Sequence, residues 1–419
     1  MEKYARLLKD KILRRASFKG FILLAVLAAA NLFLPSLTPA VAADVDIGVI
    51  YPTSGALARF GQACVNASKL AADHINAIGG IKSLKGAKLN LIITDCQSDA
   101  TVTRNVTERI MTTQKLSAAT GDYSSSYTLV STEVAERYSI PFITGSVANE
   151  LTARGLKYTF QVSPKAEMFG HMQIDTLAWL AKAGEKRVAI VYEDTAYGTS
   201  TAKGLTDRAK MKGYDIVLSE AYASKFTDAT PLVNKIKAAK PDVIFPVSYI
   251  TDAILIIKTM KQLDVNAAII GGGAGYLIPE FYSGLGADAN YVFSVGSWNY
   301  DINCPEVTKF SEEYQKKYGE FLMEHAGEAY VMMWVIADAL ERAGSTDPKK
   351  VREALVATNL TRGAGSAMPG CRVEFDAAGW NKNVHPVMTQ WQKGLLRTVY
   401  PASDARVKPS WPVPPWKKR

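Results

Sequence analysis

The chain has 419 residues, of which 48% are hydrophobic and 21% charged, with a formal net charge of +9 at pH 7. That length and composition belong to a folded protein with room for two cores, not to a disordered or fibrous chain. The positive charge does not mark a nucleic-acid binder, because it is concentrated at the ends. Residues 1–43 carry seven Lys or Arg against Glu2 and Asp10, so +9 falls by 5 to +4 without them, and residues 401–419 contribute a further +4. The body between is near neutral.

The first segment has the three-part layout of an export signal. Lys3 to Lys19 supply a basic start, an apolar run follows from about Phe21 to Leu34, and small residues end it at Ala40-Val41-Ala42-Ala43. A secretory signal peptide over residues 1–43, cleaved after Ala42 or Ala43, is expected, so the mature protein is exported. The run is shorter than the ~20 residues of a membrane span.

From Asp46 the chain reads as repeated strand and helix units. Ile47-Gly48-Val49-Ile50-Tyr51 is an apolar strand ending in Pro52-Thr53-Ser54-Gly55. A helix from about Gly61 to Ile78 carries Ala63, Ala67, Leu70, Ala71 and Ile75 on one stripe and stops at Gly79-Gly80. Leu89–Thr94 alternates as the next strand, so the sheet is parallel and of the α/β kind, binding ligands at its strand C-termini. Leu116–Thr120 leads into Gly121-Asp122-Tyr123-Ser124-Ser125-Ser126 and a helix to about Tyr138, and Pro141–Thr144 leads into Gly145-Ser146. A second series runs from Pro164 through strands at Arg187–Tyr192, Asp215–Leu218, Asp242–Pro246 and Ala268–Ile270, with helices between them. Two doubly wound α/β lobes are expected. The terminal residues 401–419, rich in Pro and Trp, are expected to be extended and poorly ordered.

Four cysteines in an exported chain suggest two disulfides. Three pairings are open; the expected one joins Cys64 to Cys96 and Cys304 to Cys371. With no C-x-x-C and no paired Cys/His spacing, no metal is expected. The histidines His74, His171, His325 and His385 stand singly, and G-x-S-x-G and H-E-x-x-H are absent. The run Gly271-Gly272-Gly273-Ala274-Gly275 lacks the context and spacing of a dinucleotide loop. Neither an enzyme nor a cofactor is expected.

The residues then carry a resemblance. Ile47–Ile50 with Thr53-Ser54-Gly55 and Phe60-Gly61, Asp73–Asn76 before Gly79-Gly80-Ile81, Ser124–Ser126, Ile143–Ser146, Glu150-Leu151-Thr152, Asp194 to Tyr197-Gly198, and Val373–Asp376 with Gly379 resemble an extracytoplasmic solute-binding protein of the branched-chain amino acid class of ABC importers. The similarity spans about residues 44–400. It implies a type I periplasmic binding fold: two lobes joined by three hinge strands, lobe 1 from 44–164 and 295–370, lobe 2 from 165–294 and 371–400. It also implies a monomer that delivers a small carboxylate to a membrane permease, or, alternatively, informs a membrane receptor.

Carried over residue by residue, the ligand carboxylate falls to Ser124, Ser125, Ser146 and the Ala148 amide, at helix N-termini that offer unpaired N–H groups. Phe60, Tyr123, Tyr197 and Tyr249 match wall positions, and Trp298 and His325 can face the cleft from the hinge side. Gly271-Gly272-Gly273 stands where amino-acid binders of this class have an acid for the α-ammonium, with Gly273 added to the site for the room it leaves. Glu193, Asp194 or Glu328 can substitute. The expected ligand is therefore an aromatic or branched carboxylic acid without an α-amino group.

Overall fold

The computed structural model describes residues 43–181, 184–223 and 226–419. The expected export segment lies outside the described residues but for Ala43. The first lobe opens with β1 (Val45–Tyr51), α1 (Ala58–Ala77), β2 (Leu89–Asp95), α2 (Ala100–Thr113), β3 (Ala118–Gly121), α3 (Ser125–Tyr138), β4 (Phe142–Thr144), α4 (Glu150–Ala153) and β5 (Thr159–Gln161). Its sheet is parallel throughout, in the order β2-β1-β3-β4-β5. Local chemistry starts and stops the helices: the Asp99 carboxylate accepts the Val102 amide at 2.9 Å to cap α2, and Gly79-Gly80 turns the chain after α1 with positive φ.

The second lobe follows with α5 (Ala166–Ala181), β6 (Arg187–Glu193), α6 (Ala196–Lys212), β7 (Asp215–Tyr222), α7 (Thr230–Ala239), β8 (Val243–Val247), α8 (Ile250–Gln262), β9 (Ala268–Gly271), α9 (Pro279–Leu285) and β10 (Phe293–Gly296). The chain then returns to the first lobe as α10 (Val307–Tyr318), α11 (Glu324–Ala343) and α12 (Pro348–Val356), with α11 packed along α1. A two-stranded ribbon, β11 (Asn359–Leu360) and β12 (Val373–Glu374), precedes the hairpin β13 (Val387–Gln392) and β14 (Leu395–Tyr400). That hairpin completes the second sheet, in the order β14-β13-β10-β9-β8-β6-β7, antiparallel only where β13 and β14 join it. Strands β8, β9 and β10 are buried along their whole length, as sheets covered by helices on both faces require.

The strand orders fix where a ligand can sit. In lobe 1 the chain departs on opposite sides of the sheet from β1 and β3; in lobe 2 the same happens at β6 and β8. The crevices at such switch points, beyond the strand C-termini, are the places an open α/β sheet offers to a ligand. The chain crosses between the lobes after β5, after β10 and again before β13. The crossings are tied together: the Gln161 amide donates to the Gly379 carbonyl at 2.8 Å, the Asn381 amide to the Gln161 carbonyl at 2.9 Å, and Cys304 is disulfide-bonded to Cys371.

Two expectations are corrected. Cys64 and Cys96 are not paired; both are free, buried thiols. Alternate residues of a strand face opposite sides of its sheet. Ile50 of β1 packs in the cluster that holds Cys96, Ile110 and Val134, while its neighbour Tyr51 faces Cys64. The sheet therefore separates the two sulfurs. The segment 401–419 is packed against lobe 2. Ser410 exchanges hydrogen bonds with the Gln390 side chain at 2.8 and 3.0 Å. Trp416 is buried, its indole donating to the Val265 carbonyl at 2.7 Å. The prolines leave few amides needing partners, and the indoles supply the apolar area that seats the segment.

Candidate ligand-binding cleft

The two switch points face each other. From lobe 1, the β3–α3 turn brings Tyr123, Ser124 and Ser125 to the cleft and α1 brings Phe60; from lobe 2, Tyr197 opens α6 and Tyr249 precedes α8. Phe60 and Tyr123 stack with centroids 4.3 Å apart, and the chain of rings crosses the cleft from Tyr123 to Tyr249 at 6.1 Å and on to Tyr197 at 5.6 Å. Two small cavities of about 10 Å³ each survive between the lobes. One is lined by Phe60, Cys64, Tyr123, Leu277, Glu324 and His325 among others, the other by Tyr123, Ser125, Val147, Phe169, Tyr197, Tyr249 and His325. Each has room for no more than a water, so admitting an acid requires the lobes to part. Larger hollows of about 450 and 430 Å³ lie elsewhere, beside Tyr300 and Arg397 and beside Trp334. Neither unites groups from the two switch points.

The polar end of the cleft is built on α3. The first helical hydrogen bonds run from the Tyr127 and Thr128 amides to the Ser124 carbonyl, both at 3.0 Å, so the amides before them stand ahead of the helical ladder. The Ala148 amide donates to the Ser125 hydroxyl at 3.2 Å. Ser124 is a hydrogen-bond neighbour of the Tyr249 phenol across the cleft. Ser146 is placed differently: its hydroxyl lies 2.6 Å from that of Thr128 and donates to the Asp122 carbonyl at 3.1 Å, tying the loops from behind. Trp298 is fully buried in lobe 1, stacked on Phe310 with its indole donating to the Ala367 carbonyl at 2.8 Å, and lines neither cavity.

The glycine run does not open space. A Cβ on Gly271 would strike the Tyr276 ring at 2.7 Å, one on Gly272 would strike Val247 at 2.9 Å, and Gly273, at φ +95°, lies against Val295 and Phe169. The volume left by the absent side chains is filled by these neighbours. The Tyr197 hydroxyl donates to the Gly272 carbonyl, fixing that ring at the cleft.

The three acids named as substitutes for an ammonium partner have distinct surroundings. Glu193 is consumed by its own loop, accepting the Thr195 amide at 2.7 Å, the Thr195 hydroxyl at 2.9 Å and the Gly198 amide at 2.7 Å. Asp194 is exposed. Glu328 is fully buried beside Ser297 and His325, and burial pushes its carboxyl up. Glu324, which sequence patterning did not single out, accepts the Ser297 amide at 2.5 Å and hydroxyl at 2.8 Å through one oxygen. Its other oxygen lies 3.2 Å from His325 Nδ1, and His325 Nε2 lies 3.9 Å from Glu328. Phe169, Val147 and Met323 also line the cleft unannounced, because nothing in an apolar residue of a patterned segment distinguishes a cleft wall from a core contact. Among the described residues no group of His, Cys, Asp and Glu has the arrangement of a metal site.

Comparison with known proteins agrees with this geometry. The sequence profile of a family described as periplasmic binding protein matches residues 44–393. The Leu/Ile/Val-binding protein homolog 8 of Brucella melitensis is 33% identical over 379 residues, covering 87% of this chain and 93% of that protein. Homolog 7 of Brucella suis is 31% identical over 376 residues, with the same shares. The fold is shared with the leucine-binding protein LivK of Thermotoga maritima, at TM-score 0.76 and 23% identity over 85% of this chain and 98% of that one. It is shared too with LivJ of Streptococcus pneumoniae, solved with isoleucine, at TM-score 0.76 and 24% identity over 85% and 100%. Two facing α/β lobes, an aromatic cleft between them, and relatives a third identical over nearly their whole length lead to one conclusion: this chain belongs to the periplasmic binding protein family.

Proposed function

We propose that this protein is the exported substrate-binding component of an ABC importer of the branched-chain amino acid class. It takes a small carboxylate between its lobes and hands it to a membrane permease. The observation that carries the reading is the meeting of Phe60 and Tyr123 from one lobe with Tyr197 and Tyr249 from the other, directly over the N-terminus of α3. Rings from both lobes touch a bound molecule only when the lobes close on it, which couples occupancy to the closed shape that a permease recognises. The relatives named for Leu/Ile/Val binding and the LivJ structure with isoleucine support the ligand class.

Within that class, an aromatic or branched carboxylic acid without an α-amino group is favoured. Enclosing an ammonium without a charged partner costs several kcal/mol, and the lobe 2 wall offers glycine at 271–273 and a Glu193 already saturated by its own loop. Calorimetry with matched pairs tests this: phenylpyruvate and 4-hydroxybenzoate should bind more tightly than phenylalanine and leucine. Tighter binding of the amino acids would overturn this choice and assign the ammonium to Glu193, Asp194 or Glu328. Export and cleavage belong to the same proposal, checked by a mature N-terminus at Ala43 or Asp44.

A further inference from the structure

A carboxylate bound at the start of α3 is held more tightly where a positive charge adds to the hydrogen bonds, and the cleft supplies one candidate. Among the described residues lining the two cleft cavities, His325 is the only side chain able to carry positive charge, and it borders both. It shares one of them with Ser125. The ring is held from two sides: Nδ1 lies 3.2 Å from Glu324, itself locked by Ser297, and the ring centroid lies 4.6 Å from that of Tyr123, the two planes tilted at 58°. Its Nε2 makes only a long 3.9 Å approach to Glu328 and has no closer acid. We propose that the His325 imidazolium is the counter-ion of the ligand carboxylate, so that binding is linked to protonation of the cleft. The inference rests on the binding function proposed above and deepens it.

The surrounding groups set the sign. Burial works against the charged imidazole, but Glu328 and Glu324 outweigh it and raise His325 above the ordinary histidine range. Tyr123 from the β3–α3 turn, Cys64 from α1, and Tyr197 and Tyr249 from lobe 2 also face the cleft; burial pushes all four upward, so they stay neutral around pH 7. His325 and Glu328 titrate as a pair, because the charge of each favours the charged form of the other while burial opposes both. As pH rises, His325 loses its charge and Glu328 gains one. Both changes disfavour an incoming carboxylate, so affinity falls with rising pH.

The test is a calorimetric series on the full mature chain. The acid that binds most tightly among leucine, phenylalanine, phenylpyruvate and 4-hydroxybenzoate serves as the probe. Its Kd should rise by about tenfold or more between about pH 6 and about pH 9, and titration in two buffers of different ionisation enthalpy should show net proton uptake around neutral pH. His325→Gln, which keeps a polar side chain but no charge, should weaken binding by about tenfold at pH 6 and remove most of the slope. Glu324→Gln should move the slope to lower pH by withdrawing the negative charge that supports the imidazolium. A wild-type Kd flat across that range with no proton uptake, or a slope unchanged in His325→Gln, overturns the inference and leaves the binding function standing. No binding of any of the four acids at any pH overturns both.

Discussion

Asp122 is a buried acid beside Ser131 and Cys96, and burial raises its carboxyl to about 7. An acid raised on folding binds more protons in the native state, so its contribution to stability declines as pH climbs from about 4 to about 7. Asp122→Asn should therefore be more stable than the parent at about pH 8, by on the order of 2–4 kcal/mol, and nearly equal to it at about pH 4. Urea unfolding at the two pH values measures this, and equal differences at both would contradict it. At the same scale, Cys64 and Cys96 should resist alkylation in the native protein. Mass spectrometry should count two modified thiols only after denaturation without reductant, because burial pushes both thiols up and hides them. Cysteine number pointed to oxidation at this scale, but only strand parity shows that these two sulfurs cannot meet. Ser124, Ser125 and the ring residues were named by the family resemblance, and the structure brings them to one cleft; in a short window of sequence alone each aromatic reads as a packing residue. His325 and Glu324 were not legible as a pair with Tyr123, since the chain brings them together across some two hundred residues.

The β3–α3 element depends on one backbone geometry. Gly121 has φ +143°, and a Cβ there would lie 2.0 Å from the Ile50 carbonyl oxygen. Gly121→Ala should lower Tm and weaken ligand binding together, because relief of the clash must move β1 or the turn that carries Tyr123 and Ser124. A stable variant with unchanged affinity would show that the turn is more tolerant than its contacts suggest. The Cys304–Cys371 bond ties the stretch leaving β10 to the stretch after α12, at a sequence separation of 67. Replacing both cysteines by serine should cost up to about 4 kcal/mol, read by chemical denaturation. Most strands and helices follow from period and punctuation: continuous apolar runs became buried parallel strands, and Gly or Asp ended or began the helices. The segment 401–419 defeated the same reasoning. Its prolines break every periodic pattern, while its stability comes from side chains reaching Gln390, Asn266 and Val265 in other elements.

At the scale of the whole molecule, side-chain bonds join the lobes directly. Arg59 of α1 pairs with Glu280 of α9 on the other lobe and with Glu320 on its own, and the Ser200 hydroxyl of α6 donates to Glu150 of α4 at 3.2 Å. Partly exposed pairs of this kind contribute about 1 kcal/mol or less each, which suits a contact that must break in every cycle. Arg59→Ala should enlarge the radius of gyration in small-angle scattering at low salt, with saturating acid restoring compaction. An unchanged radius in both conditions would remove Arg59 from the closure mechanism. Two lobes could be inferred from the repeated series of units, but which surfaces face each other could not: the facing pairs come from distant segments, and their attraction is too weak to leave a local pattern.

The packing of Trp416 and Arg419 against lobe 2, with the guanidinium 3.6 Å from the indole ring, gives the last residues of the chain a fixed mechanical address. Asp44, just ahead of β1, is exposed on lobe 1. A donor fluorophore at residue 44 and an acceptor beyond residue 419 therefore ride on different lobes without touching the cleft. Such a doubly labelled protein should act as an optical gauge of its own ligand, its energy transfer changing when the lobes move and staying constant when an added compound does not bind.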